Sequence, residues 1–265
     1  DKRFDVANGV QGVSGSPVYF NDRLAGAMSF GWKGEVEPLY GVTPIRQMLA
    51  VQQTGELFKE TSQENISMAN RFDKVDYQNL MRETLLSPAK IKWLAARAGA
   101  TTSPESDSAT MATMLPVGLT MNGLTDEALH ALHAFIPNLK LQVGAAGSVV
   151  DSDHYENVIL EPGSSITIPL FRGDINGAAL GTVTEVVDNH VFAFGHSWNG
   201  AGGVKFSMAT AYIHSFVNLN TMSFKLGYSL DIVGTLLADE AAAIYGQVGE
   251  SVDFVPLEFN MDWVY

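Results

Sequence analysis

Two short stretches hold residues whose types and spacing can do chemistry. The first is Gly12-Val13-Ser14-Gly15-Ser16-Pro17, which stands just before a pair of alternating apolar segments. A serine that attacks an acyl group needs exposure on a sharp turn, with backbone N–H groups aimed where the oxyanion forms. Gly12 and Gly15 permit that turn, because glycine accepts backbone angles and close approaches that other residues do not. Alone, the stretch reads more simply as a glycine-rich β-turn with incidental serines. The second stretch is Val-Phe-Ala-Phe-Gly-His, which sets His196 at the end of an apolar strand after a turn at Asp188-Asn189. Histidine is the commonest partner base for such a serine, yet a histidine after Phe-Gly is on its own more often a packed or turn residue. His130, His133, His154, His190 and His214 lie in no comparable context, and His190, in the preceding turn, reads as solvent-facing. A third cluster, Asp151, Asp153, His154 and Glu156, could offer carboxylates to a hard cation. It lacks the EF-hand spacing and glycine, so it reads as an exposed acidic loop and no metal site is expected.

The elements that must position these residues are mostly strands. Pro17–Phe20, a turn at Asn21-Asp22 and Leu24–Phe30 read as a hairpin, and residues 39–49 close the segment with Gly-Val-Thr-Pro-Ile. From Gly55 to Gly99 the spacing is helical and polar, with Ser87-Pro88 and Gly99 as boundary signals. Residues 101–110 are a Ser/Thr/Pro-rich linker. Met114–Thr120, a helix from Thr125 to about Phe135, and Leu139–Val143 make a small β-α-β unit. Strand signals return at Ile166–Phe171, Leu180–Val187, Val191–Phe194, Val204–Val217 and Ile232–Leu237. No internal repeat is present.

Composition sets the outer limits. A chain of 265 residues with 46% hydrophobic and 10% aromatic residues has an ample core for one large or two small domains. A net charge of −13 repels phosphate backbones and anionic surfaces, so nucleic acid is not an expected partner. The absence of cysteine excludes disulfides, thiolate metal sites and a cysteine nucleophile. No apolar run approaches the ~20 residues of a membrane-spanning helix. The chain starts Asp1-Lys2-Arg3 without a signal-peptide pattern, and it reads as a piece of a longer precursor with possible further domains outside it.

The span from Gly12 reads G-x-S-G-x-P, an apolar pair, a polar turn, L-x-G-x-x-S-x-G and P-x-Y-G-V-T-x-I. This resembles the C-terminal part of trypsin-like serine proteases. "QGVSGSPVYFNDRLAGAMSF", "GVTPIRQML", "VFAFGHSW", "SMATAYIHSF" and "SFKLG" resemble more specifically the SpoIVB-type serine peptidases, over about 1–50 and 160–240. The resemblance implies Ser14 as nucleophile, His196 as base, and the N–H groups of Gly12 and Ser14 as the oxyanion hole. Ser29 and Gly31 would border the substrate's main chain and the specificity pocket, with Asn8 at a neutral pocket floor. No cofactor is implied.

The fold class that follows is mainly β, α+β overall: a trypsin-like double β-barrel with a helical and β-α-β insertion. Its segments are 1–52 (bearing the serine), 53–110 (helical insertion and linker), 111–150 (the β-α-β insertion) and 151–265 (bearing the histidine). The family runs His before Ser and this chain runs Ser before His, which resembles a circular permutation. A triad is defined by geometry rather than chain order, so the inversion does not forbid catalysis. The acid stays open. Asp231, heading an apolar strand, is the first choice; the SpoIVB resemblance favours Asp1 or Asp5, and Asp239 is a further option. A two-residue Ser–His enzyme is another. The expected function is a serine endopeptidase acting on protein or peptide substrates through an acyl-enzyme, exported, periplasmic or in the cell envelope as the resemblance implies. The alternative is a catalytically inactive, protease-like peptide-binding or scaffolding module.

Overall fold

A computed structural model describes residues 10–32, 39–69, 112–115, 117–125, 141–143, 158–219, 223–249, 252–256 and 258. Among them the fold is mainly β. The strands are β1 (Val10–Gln11), β2 (Pro17–Phe20), β3 (Arg23–Gly31), β4 (Tyr40–Pro44), β5 (Thr113–Met114), β6 (Gly118–Asn122), β7 (Leu141–Val143), β8 (Ser165–Phe171), β9 (Asn176–Val187), β10 (His190–Ala193), β11 (Gly202–Val217), β12 (Ser223–Glu240) and β13 (Ala243–Val248). Helices α1 (Ile45–Ala50) and α2 (Gln52–Ala69) follow β4. No helix of the described residues is long and apolar enough to cross a membrane.

Turn chemistry fixes both hairpins that matter for the site. Asn21 and Asp22 take φ of 48° and 59°, so a two-residue loop pairs Phe20 with Arg23. Positive φ at both central positions matches the right-handed twist of the flanking strands, and Asn and Asp tolerate it better than most residues. Asp188, at φ 56°, turns β9 into β10, with His190 opposite Val187.

The larger sheet closes on itself. Its order runs β10-β13-β12-β11-β8-β9, and β9 also pairs with β10, so these strands form an antiparallel ring. Ile166, Ile168, Val183, Val191, Phe194, Met208, Leu236 and Ile244 fill its interior. β6 pairs antiparallel with β9, and β7 runs parallel beside β6. The segment expected as an insertion outside the barrels therefore extends the main sheet, because Leu119 and Met121 bury against it. The helix expected from Thr125 and the linker at 101–110 lie outside the described residues.

The serine-bearing half is an open four-stranded sheet among the described residues, with β2, β3 and β4 in order and β5 on the edge of β3. Residues 243–248 belong to the ring, pairing with β10 and β12. The two sheets meet across a second apolar cluster, in which Ala27 and Met48 pack with Phe192, Leu237, Ala243 and Tyr245. β1 adds a parallel pair to β12, Val10 opposite Ser223, and so ties the start of the serine segment to the ring.

Candidate active site

The turn after β1 is held from below by β9. Thr182 N–H donates to the Ser14 carbonyl at 2.9 Å, and the Thr182 hydroxyl donates to the Gly12 carbonyl at 2.9 Å. The Thr184 hydroxyl donates to the Gly15 carbonyl at 2.7 Å. Gly12 and Gly15 take φ of 84° and 95°. At Gly15 a side chain would strike the Thr182 carbonyl oxygen, so only glycine lets the turn lie this close to β9. The Val13 carbonyl accepts from Ser16 N–H at 2.9 Å and the Ser16 hydroxyl at 2.7 Å. In a trans peptide unit C=O and N–H point opposite ways, so the same unit aims Ser14 N–H away from Ser16. Among the described residues, neither Gly12 N–H nor Ser14 N–H has a hydrogen-bond acceptor.

His196 reaches this turn from the end of β10. Gly195 N–H donates back to the Ala193 carbonyl at 2.8 Å around Phe194, whose φ is 68°. That is the rarer, strained form of γ-turn, and it survives only where the surroundings hold it. Here they do: the Phe194 ring is fully buried in the ring's core, and Thr43 Oγ1 donates to the Gly195 carbonyl at 2.5 Å. Gly195, at φ 69°, lies where a Cβ would collide with the Ser29 hydroxyl.

Ser14 and His196, 182 residues apart in sequence, meet with Oγ and Nε2 at 2.8 Å. His196 Nδ1 stands 2.7 Å from the Ser197 carbonyl. A carbonyl only accepts, so Nδ1 carries the hydrogen and donates it, and Nε2 presents its lone pair to the serine hydroxyl. Burial pushes the His196 pKa below its ordinary value, opposed by the Ser197 carbonyl, the charge of Asp239 and the Leu115 carbonyl. The imidazole is therefore neutral near pH 7 and can accept the serine proton.

Asp239 is the expected acid that lies beside this site, though it does not touch the imidazole. Its two carboxylate oxygens accept from Trp198 N–H and Asn199 N–H, each at 2.7 Å, and it is 1% exposed. It thereby holds the loop whose Ser197 carbonyl orients His196. Asp231, the first choice from sequence, stands elsewhere: its side chain is exposed, roughly 25 Å back along β12. The Thr210 hydroxyl donates to its backbone carbonyl at 3.4 Å. β12 begins at Ser223, so Asp231 does not head a strand but lies within one, with its side chain exposed. Asp1, Asp5, Asn8 and the cluster at 151–156 lie outside the described residues. His190 is half-buried at the start of β10 rather than solvent-facing, 2.6 Å from the Tyr245 hydroxyl, which donates in turn to Glu56 of α2 at 2.6 Å.

The Ser29 hydroxyl lies beside Gly195, and Gly31 stands opposite Thr113 of β5. Ser29 is fully buried, its hydroxyl donates to the Ala27 carbonyl at 2.8 Å, and its own carbonyl accepts from Leu115 N–H at 2.8 Å. Ser14, expected exposed, is fully buried, and part of its cover is Leu115, whose carbonyl lies 3.4 Å from Ser14 Oγ. Sequence reading also missed Lys225. Its ammonium donates to Thr182 Oγ1 at 2.7 Å and to Ser165 Oγ at 3.3 Å, and burial lowers its pKa to about 8. Thr182 thus links Lys225 to the Gly12 carbonyl. The period-two spacing of Thr182 and Thr184 on an otherwise apolar strand was the available signal. Compared with known proteins, the chain matches no family model, no curated protein and no solved structure.

Proposed function

We propose that this chain is a serine endopeptidase, with Ser14 as nucleophile and His196 as general base. The observation that carries the reading is the Ser14 Oγ–His196 Nε2 hydrogen bond with Nδ1 fixed on a carbonyl. Ser14 Oγ attacks a substrate carbonyl carbon while His196 takes the hydroxyl proton. The oxygen that gains charge is received by the N–H groups of Gly12 and Ser14. Collapse breaks the carbon–nitrogen bond, and His196 returns the proton to the leaving amine. Water, deprotonated by the same imidazole, then releases the acyl group from Ser14.

Within this proposal Asp239 is a positioning residue that acts through the 197–199 loop. The antiparallel ring bearing the histidine, and the open sheet bearing the serine, support a trypsin-like, SpoIVB-type relationship with exchanged halves. That relationship carries with it an exported, periplasmic or cell-envelope setting and a polypeptide substrate. The test is mass spectrometry after exposure to a fluorophosphonate. A single adduct on Ser14, lost in Ser14→Ala and His196→Ala, is the expected result. No adduct on folded wild type, nor on the less covered Leu115→Ala variant, refutes the enzyme and favours the second reading, a peptide-binding module. That second reading draws on one observation, the strand already paired on the β3 edge.

A further inference from the structure

Resting on that reading of Ser14 and His196, we infer that Thr113–Leu115 occupies in cis the track of a polypeptide substrate. The site then takes extended chains with a leucine-sized aliphatic side chain at the residue whose carbonyl is attacked, and the segment must leave before another chain enters.

Backbone placement is the first ground. β2 pairs with β3 as far as Ala27, and the Ser14 turn continues to Met28, whose N–H donates to the Ser16 carbonyl and whose carbonyl accepts from Gly15 N–H, each at 2.9 Å. The same edge of β3 is left open from Ser29 on. β5 takes that edge, antiparallel, with Met114 opposite Phe30 and Thr113 opposite Gly31. Leu115 N–H continues the pairing to the Ser29 carbonyl at 2.8 Å. Strand addition of this kind recognises a main chain without regard to sequence, and pockets for alternate side chains supply selectivity.

The second ground is where the segment ends. The Leu115 carbonyl lies 3.4 Å from Ser14 Oγ, and it also lies close enough to His196 to favour the charged imidazole. Among the described residues no other backbone carbonyl lies within hydrogen-bond distance of Ser14 Oγ. It is not held by the N–H groups of Gly12 or Ser14, so the contact covers the nucleophile without seating the carbonyl for attack.

Side-chain burial then identifies the residue being read. Thr113 and Met114 are exposed, whereas Leu115 is 5% exposed in a cluster with Val10 and Val13, against which Met28, Tyr40 and Phe216 pack. The side chains that pack around Leu115 in that cluster are aliphatic or aromatic, and desolvating a charged side chain among them would be costly.

The experiment follows the labelling rate of Ser14 in the full chain by mass spectrometry, for wild type, Leu115→Asp and Leu115→Ala. The probes are peptidyl phenyl phosphonates with leucine, arginine or aspartate next to phosphorus, and a small fluorophosphonate that needs no strand pairing. In labelling by the phosphonates, the Ser14 Oγ–phosphorus bond forms, the bond to phenoxide breaks, and the serine proton leaves with phenol by way of His196. The leucyl probe should exceed the other two by about tenfold or more. Both Leu115 variants should raise its rate on the order of tenfold, the alanine variant serving if the aspartate variant does not fold. Labelling of the variants alone is the extreme form of the same result. If the fluorophosphonate marks Ser14 but leucine gives no advantage, or neither variant is faster, the inference is overturned and the enzyme stands. If no probe marks Ser14 in any form, both fall together.

Discussion

Replacing Asp239 with asparagine tests how His196 is held. In the wild type both carboxylate oxygens accept backbone N–H bonds at 2.7 Å in a buried setting. An amide keeps one acceptor and turns an NH₂ toward the second N–H, so one charge-assisted bond is lost and a donor faces a donor. A hydrogen bond to a charged group contributes about 1.5–3 kcal/mol, and a buried donor left unmet costs about 1–3 kcal/mol. A net loss of about 3 kcal/mol lowers the melting temperature by about 6–12 °C for a chain of this size. Reactivity should respond in a different way. The rate needs neutral His196, so it rises with pH through the His196 pKa, and removing a charge that favours the imidazolium moves that midpoint further to acid. Above the midpoint, weaker support for the imidazolium formed during attack lowers the rate about tenfold for each 1.4 kcal/mol. The Ser197 carbonyl still accepts from Nδ1, so the fall should stop far short of the ~10⁴ seen when a carboxylate bonded directly to the histidine is neutralised. The assay is thermal unfolding beside the pH profile of fluorophosphonate labelling. A loss near 10⁴ in a well-folded variant would place the carboxylate on Nδ1 in the working state, and an unmoved melting point and midpoint would refute the loop-holding role.

Three further outcomes follow from the same contacts. The labelling rate of the wild type should reach half its maximum below pH 6.5, since burial lowers the His196 pKa; a midpoint at or above 7 contradicts the buried, neutral imidazole. Gly15→Ala should cost about 3 kcal/mol or more and abolish labelling, because its Cβ meets the Thr182 carbonyl and stands 2.5 Å from Phe194 N at a φ of 95°; denaturant unfolding reads the loss. Lys225 has a folded pKa near 8 against 10.5 unfolded, so the unfolded chain binds the extra proton between those values. Wild-type stability should therefore rise from pH 8 to 10.5, by up to about 1.4 kcal/mol per pH unit, and Lys225→Met should remove the rise; parallel pH curves would refute it.

What sequence could reveal was local. Asn21-Asp22 and Asp188 carry their turns in their residue types, and the strand registers follow. Ser14 and His196 were legible only together, since Gly-x-Ser-Gly and Phe-Gly-His each read alone as a turn and gain weight from the other's presence. Asp239 and Asp231 were not distinguishable, since both lie on β12 and only the partner loop decides which carboxylate turns inward. Leu115 was wholly illegible. Nothing in Met114-Leu115 marks it as a lid over Ser14; that role exists only because β2 and the Ser14 turn leave the β3 edge open beyond Met28.

The order of the two half-motifs bears on the same point. Two strands fix the Ser14 turn from outside: β9, through Thr182 and Thr184, and β3, where the Met28 carbonyl accepts from Gly15 N–H and Met28 N–H donates to the Ser16 carbonyl, each at 2.9 Å. β9 leads through Asp188 into β10, which ends at Phe194-Gly195-His196. Phe194 N–H itself donates to the Thr182 carbonyl at 3.2 Å. The β9–β10 hairpin therefore both holds the Ser14 turn and carries His196. Among the described residues the partners in that grip are Met28, Thr182 and Thr184, so the alignment of Oγ with Nε2 should not depend on how the chain is joined between 69 and 112. A cut or re-joining of the chain between the described segments at 69 and 112 should then leave the 2.8 Å contact standing, provided β5 and β6 stay on their sheets. Labelling of Ser14 in a chain nicked there, with the pieces held together, measures it directly; loss of labelling without loss of the fold would show that the connection, and not the β9–β10 hairpin, sets the geometry.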